Sequence, residues 1–122
     1  MTRWASTSAT AMPEARLAAG IWVSAYLRRL QLADIPAYVT RHGDDTAGSV
    51  MVKCATLDGQ ASLWIREWDL ETDRRLWMRL NAAPEREIDT EIARNAARDP
   101  DLWVIEIESR DGTTLLDHEG LA

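Results

Sequence analysis

Apolar residues recur at helical spacing between Pro13 and Ala33, where Leu17, Ala18, Ile21, Trp22, Ala25, Tyr26 and Leu30 form one stripe. Pro13 suits a first helical position and Glu14 its first turn, while Arg28 and Arg29 complement the dipole at the far end. Gly20 is the weak point, where the helix could instead begin, and Pro36 ends it by biasing Ile35 away from helix. The period then changes to two. "AYVTR" (37–41), "SVMVKCAT" (49–56), "SLWIREW" (62–68) and "RRLWMRL" (74–80) read as strands, separated by the turns "HGDDTAG", "LDGQ" and "DLETD". Asp58-Gly59 is the pair that type I′ hairpins favour.

Pro84 opens a second helix with Glu85 and Glu87 in its first turn and Arg94 and Arg98 in its last. Its stripe is thin, made of Ile88, Ile92 and Ala96 with Ala93 beside them. "DPD" (99–101) breaks it, and "LWVIEIES" (102–109) follows as a strand with Trp103, Ile105 and Ile107 on one face and Glu106 and Glu108 on the other. "TTLLDHEGLA" adds at most a short strand. Strands joined by short turns pair antiparallel. The expected fold is α+β in the order α-β-β-β-β-α-β, with an antiparallel sheet of four to five strands and two helices. Residues 1–12, rich in Ser, Thr and Ala without period, read as a disordered tail before a single domain over 13–122.

Composition sharpens this picture in three ways. The chain of 122 residues has six Trp, two Tyr and no Phe, so indoles carry its aromatic volume, and each indole N–H wants a partner. Cys54 stands alone, which excludes an intramolecular disulfide and a cysteine-based zinc site and suits a reducing cytoplasm. No stretch approaches the ~20 apolar residues of a membrane span, so a cytoplasmic protein without membrane contact is expected. The net charge is −6, with four Arg against eleven acids after residue 84, a balance that disfavours nucleic acid as a partner.

The richest stretch is "SLWIREWDLETDRRLWMRL" (62–80). Strand alternation puts Leu63, Ile65, Leu76, Met78 and Leu80 on an aliphatic face. Trp64, Arg66, Trp68, Arg75, Trp77 and Arg79 then share the opposite face. Three covers for that face compete: the chain's own helix, a protein partner drawn to Trp/Arg hot spots, or stacked bases. The chain's own helix in part, with another subunit for the remainder, is the expected outcome.

A second candidate is the turn "RHGDDTAG". His42 could act as a base, with Asp44 or Asp45 orienting it, Arg41 beside it, and His118 or Glu119 completing a ligand set. The same residue types also build ordinary surface turns. Cys54, flanked by Val50 and Val52, reads as a small buried hydrophobe. No G-x-S-x-G elbow, G-x-G-x-x-G or Walker loop is present. Glu106 and Glu108 point the same way about 7 Å apart, which reads as the solvated face of a strand. Arg28 and Arg29 read as a solvated helix end. No catalytic residue, metal ligand set or cofactor is expected.

The segments "WVSAYLRR" (22–29), "GDDTAG" (43–48) and "DPDLWVIEIES" (99–109), in this order, resemble the signatures of a family of small alphaproteobacterial proteins, domain of unknown function 1491. The resemblance runs from about Gly20 to near the C-terminus. It implies a bacterial cytoplasmic single-domain protein and carries no activity or site residues with it. The residues alone support a non-catalytic, homo-oligomeric or protein-interaction module using the Trp/Arg face. The alternative is a small ligand- or metal-binding protein or enzyme acting at Arg41–Asp45.

Overall fold

The computed structural model describes residues 17–117, the side chains of Trp68 and Asp69 excepted. The expected tail, Pro13, His118 and Glu119 lie outside the described residues, and the first helix starts at Ala19 beside the alternative start at Gly20, with Ala18 extended and Leu17 before it. The elements are α1 (Ala19–Leu32), β1 (Ala37–Arg41), β2 (Val50–Ala55), β3 (Gln60–Asp69), β4 (Arg74–Pro84), α2 (Glu85–Arg98) and β5 (Trp103–Glu108). This is the expected order with five strands in one sheet, β1-β5-β2-β3-β4. No strand forms between Thr113 and Asp117.

The sheet is mixed, not purely antiparallel. β2 pairs antiparallel with β3, and β3 with β4, as a meander requires. β5, however, lies parallel to β2, with Val50 opposite Trp103 and Cys54 opposite Ile107. The reason is α2: it carries the chain from the end of β4 back across the sheet, so β5 starts again at the end where β4 and β2 start. Such a crossover inserts a parallel strand beside a non-adjacent neighbour.

β2 is the centre of the molecule, and all six of its residues are buried. A strand buried on both faces reads as a continuous apolar run, and "VMVKCA" has that character with one polar exception. On one face, Val50, Val52 and Cys54 meet Trp103, Ile105 and Ile107 of β5, and α1 covers them with Trp22, Tyr26 and Leu30. Burying a side chain of this size is worth about 1.5–3 kcal/mol, so these three residues fix α1 to the sheet. On the other face, Met51, Leu63, Leu102 and Val104 pack beneath Ile88, Ile92 and Ala96 of α2. Each helix therefore covers one face.

Neither helix has a side-chain N-cap hydrogen bond. Loop carbonyls satisfy the orphan amides instead. Ala19 and Gly20 donate to the carbonyls of Thr46 and Asp45 at 3.2 and 2.8 Å, and Glu85 donates to that of Gly59 at 2.9 Å. Gly59 belongs to the β2–β3 hairpin, which closes through Thr56 N–H to the Gln60 carbonyl and has Leu57 and Gly59 at positive φ. The loop thus has three residues, not the two of a type I′ turn, because Thr56 and Asp58 close it with a hydroxyl–carboxylate bond of 2.6 Å.

Candidate functional site

On β3 and β4 the alternation places the expected residues together. Arg66 lies opposite Trp77, Trp68 opposite Arg75, and Trp64 opposite Arg79, with a bulge between Leu63/Trp64 and Asn81/Arg79 that leaves Leu80 as the extra residue. The side chain of Trp68 lies outside the described residues. The cover of this face begins with α1. Trp22 sits 5.3 Å from Trp77, and the Arg66 guanidinium lies over both indoles, 5.2 Å from the first and 5.7 Å from the second. Trp22 stacks in turn on Tyr26 at 5.0 Å, and the Tyr26 hydroxyl donates to the Thr114 carbonyl at 2.8 Å. A ladder of rings therefore ties α1, the β3–β4 hairpin and the C-terminal segment into one unit. Burial pushes the Tyr26 phenol far up from its ordinary value, with the neighbouring Cys54 adding to the effect.

This cover is partial. Trp64 and Trp77 are half-buried, and between them and residues 112–117 lies a cleft of about 470 Å³. Trp64 satisfies its indole N–H on the Ser62 hydroxyl at 2.9 Å, leaving its ring on the cleft wall. Beyond the cleft β4 is the outer strand of the sheet, with Arg79 exposed and Met78 and Leu80 49% and 46% exposed.

The "RHGDDTAG" turn is built as a bracket. The Asp44 carboxylate accepts from the Thr46 and Ala47 amides at 3.1 and 2.8 Å, and the Asp44 carbonyl accepts from the Trp103 indole at 2.8 Å. A Cβ on Gly43 or Gly48 would run into the Asp101 carbonyl, so both positions require glycine by close approach. The bracket presents the Asp45 and Thr46 carbonyls to the start of α1. The His42 ring lies 4.0 Å from that of Trp103, tilted by 40°, and stands 3.6 Å from Asp45, with the His42 and Asp45 side chains largely exposed. Arg41 is not with them: it faces Val104 across the sheet and donates to the Pro100 carbonyl at 3.2 Å. His42, Asp45, Val39, Leu27 and Trp103 line a shallow groove of about 540 Å³ beside α1. Among the described residues no group of three or more His, Cys, Asp or Glu is placed to hold a metal ion.

Sequence reasoning missed one polar centre. Lys53, the only lysine in the chain, is 3% exposed on the α2 face of β2. Its ammonium donates to Glu85 and Asp89 at 2.7 Å each and lies 3.5 Å from Glu106. Burial alone would lower its pKa, but the hydrogen bonds to Asp89 and Glu85, with Glu106 nearby, reverse this and raise it. Glu106 therefore lies on a covered face and not a solvated one, because α2 packs where the strand pattern alone suggested water. The available signal was a lone lysine inside an apolar run, together with acids four residues apart at the start of a helix. Cys54 is fully buried, as its neighbours indicated, and burial pushes its thiol up from the ordinary value.

These features define a small two-helix α+β domain whose polar interior is spent on holding its layers together and whose Trp/Arg face is covered in part by its own helix. The chain belongs to a family described as proteins of unknown function, DUF1491, whose model matches residues 17–117. A crystal structure of a DUF1491 family protein from Caulobacter crescentus is similar, with 40% identity, 83% of this chain and 93% of that one covered, and a TM-score of 0.72. An NMR structure of a DUF1491 family protein from the same organism gives 39% identity, the same coverage and a TM-score of 0.73. The protein Atu0922 from A. tumefaciens is 28% identical over 77% of this chain and 86% of its own, with a TM-score of 0.67. No curated protein matches the chain. No described helix is long and apolar enough to cross a membrane.

Proposed function

We propose that this protein is a non-catalytic interaction module that binds a protein partner or a second copy of itself through the Trp/Arg face and the adjoining strand β4. One observation carries the reading: β4 is an outer strand, eleven residues long, with Met78, Leu80 and Arg79 exposed next to the half-buried Trp77. A long outer strand offers a row of backbone donors and acceptors, and Trp and Arg are the side chains that dominate interface energetics. Light scattering over a concentration series tests it. A dimer or larger species that Arg79→Glu dissociates supports the reading, and a clean monomer that captures no partner counts against it. Trp77→Ala serves as a second probe, read alongside its thermal stability because Trp77 also packs on Trp22.

A second reading rests on the groove beside His42 and Asp45. Its apolar floor of Val39, Leu27 and Trp103 beneath a histidine and a carboxylate suits a small amphipathic ligand. A thermal-shift screen in which a ligand raises the melting temperature, and His42→Ala removes the shift, is the outcome it requires.

A further inference from the structure

Resting on the reading of β4 as a contact strand, we infer that the partner is a second copy of this chain, paired antiparallel β4 to β4 about a two-fold axis at Met78. Arg75, Trp77 and Arg79 lie on the α1 face of the strand and Leu76 and Met78 on the α2 face, as their partners on β3 show. A two-fold axis perpendicular to the sheet keeps each face continuous, so the pairing centres on a residue, never between two. Arginine placement eliminates several centres, because like charges directly opposite are unfavourable. Centring on Arg74, Arg75 or Arg79 sets an arginine against its own copy, and centring on Trp77 sets Arg75 against Arg79. Leu76, Met78, Leu80 and the four centres from Asn81 to Pro84 remain.

The Leu76 register sets Arg74 against Met78 and leaves the exposed Leu80 unpaired. The Leu80 register centres on the bulge, and it and every later centre draw in Pro84, which has no N–H to give to a ladder. The Met78 register pairs residues 76–80, beyond which the bulge turns Asn81 to the α2 face. It sets Trp77 of each copy opposite Arg79 of the other, a cross-strand indole–guanidinium contact made twice. It also sets Met78 against itself and Leu76 against Leu80, so the two apolar side chains most exposed on β4 become buried. The arginines that guard this edge against indiscriminate pairing are complementary in this arrangement.

Cysteine cross-linking reads the register directly. The native thiol of Cys54 is fully buried in the sheet and contributes no background. Directly opposed residues in an antiparallel pair have Cα atoms about 4.5–5.5 Å apart, within disulfide range. Under mild oxidation Met78→Cys is expected to give a disulfide-linked dimer, and Leu76→Cys alone at least about tenfold less, since its opposite number is Leu80. Mixing Leu76→Cys with Leu80→Cys should restore the link. Arg79→Glu in the wild-type background should dissociate the dimer in light scattering. A dimer whose Leu76→Cys or Leu80→Cys form links to itself in place of Met78→Cys overturns this register and leaves the contact strand standing. A dimer unaffected by Arg79→Glu and unlinked at all three positions overturns the use of β4 altogether. A wild-type monomer that captures another protein through β4 overturns the second copy as occupant. A monomer with no partner sinks both readings.

Discussion

The ammonium of Lys53 and the carboxylate of Asp89 stand 2.7 Å apart across the gap between the central strand and α2. The lysine is buried while Asp89 and Glu85 are 56% and 41% exposed, so the two ends of this bridge behave differently. Removing both helix acids by Glu85→Gln with Asp89→Asn leaves a buried cation with Glu106 at 3.5 Å. Breaking a buried pair from one side costs about 3–5 kcal/mol, and the exposure of the acids brings the expected loss nearer 2 kcal/mol. Lys53→Met keeps the volume and removes the buried charge, so it should cost less than the double variant. Urea denaturation of the two proteins decides the order; a costlier Lys53→Met would show that the acids, not the lysine, need the bridge.

Stability should fall on the alkaline side in a defined way. Lys53 has a raised pKa in the fold, so its contribution is complete below the ordinary lysine value of about 10.4 and is lost as pH climbs through the folded one. Cys54 and Tyr26 are also pushed up, chiefly by burial, so the unfolded chain releases their protons first, from about pH 8.5 and about pH 10 respectively. Urea midpoints should therefore hold steady through neutral pH and decline above it. Tyr26→Phe and Lys53→Met should each flatten the upper part of the decline, and Cys54→Ala its beginning. Unchanged slopes in all three would refute the assignment.

Amine chemistry offers a cleaner probe, because Lys53 is the sole lysine. A small acylating reagent applied to the folded protein should leave Lys53 unmodified. In denaturant the mass should rise by one further adduct, at Lys53. Rapid native labelling of Lys53 would contradict its burial.

The ring ladder predicts a local effect. Tyr26→Phe removes the donor to the Thr114 carbonyl and should cost about 1–2 kcal/mol, the range for a buried group left without its partner. Amide exchange in residues 113–117 should quicken more than in β2. Uniform quickening would mean that this segment is held by other contacts.

Much of the architecture was legible in the chain. The change of period after Pro36 located the meander, and alternation alone gathered Trp64, Arg66, Trp77 and Arg79 on one face. The direction of β5 was not legible, since nothing local in "LWVIEIES" records where α2 delivers it. The place of Lys53 was hidden for a related reason: strand periodicity tells which residues share a face and not whether another layer covers it. Trp22 was legible as a helix-stripe residue, but its contact with Arg66 and Trp77 spans more than forty residues of sequence and emerges only on packing.

In the His42 turn, residue types that can carry chemistry also hold the fold together. Gly43→Ala or Gly48→Ala should each destabilise strongly, because the added methyl meets the Asp101 carbonyl rather than open space. Trp103→Phe, which deletes the indole donor to Asp44, should cost about 1 kcal/mol. Thermal melts of these three against Gly112→Ala, where a methyl meets no atom and only the positive φ of 79° costs stability, separate steric collision from backbone strain.

The backbone caps have a consequence for the order in which the molecule is completed. During synthesis α1 leaves the ribosome before the other described elements, yet its first amides wait for the Asp45 and Thr46 carbonyls. Those carbonyls sit in a bracket pinned by Trp103 and Asp101, among the last parts of the domain to be made. A helix of 14 residues whose first amides have no local cap is marginal alone. The first turn of α1 is therefore finished only when the segment from Asp101 to Trp103 is in place, which ties the two ends of the described chain to one another.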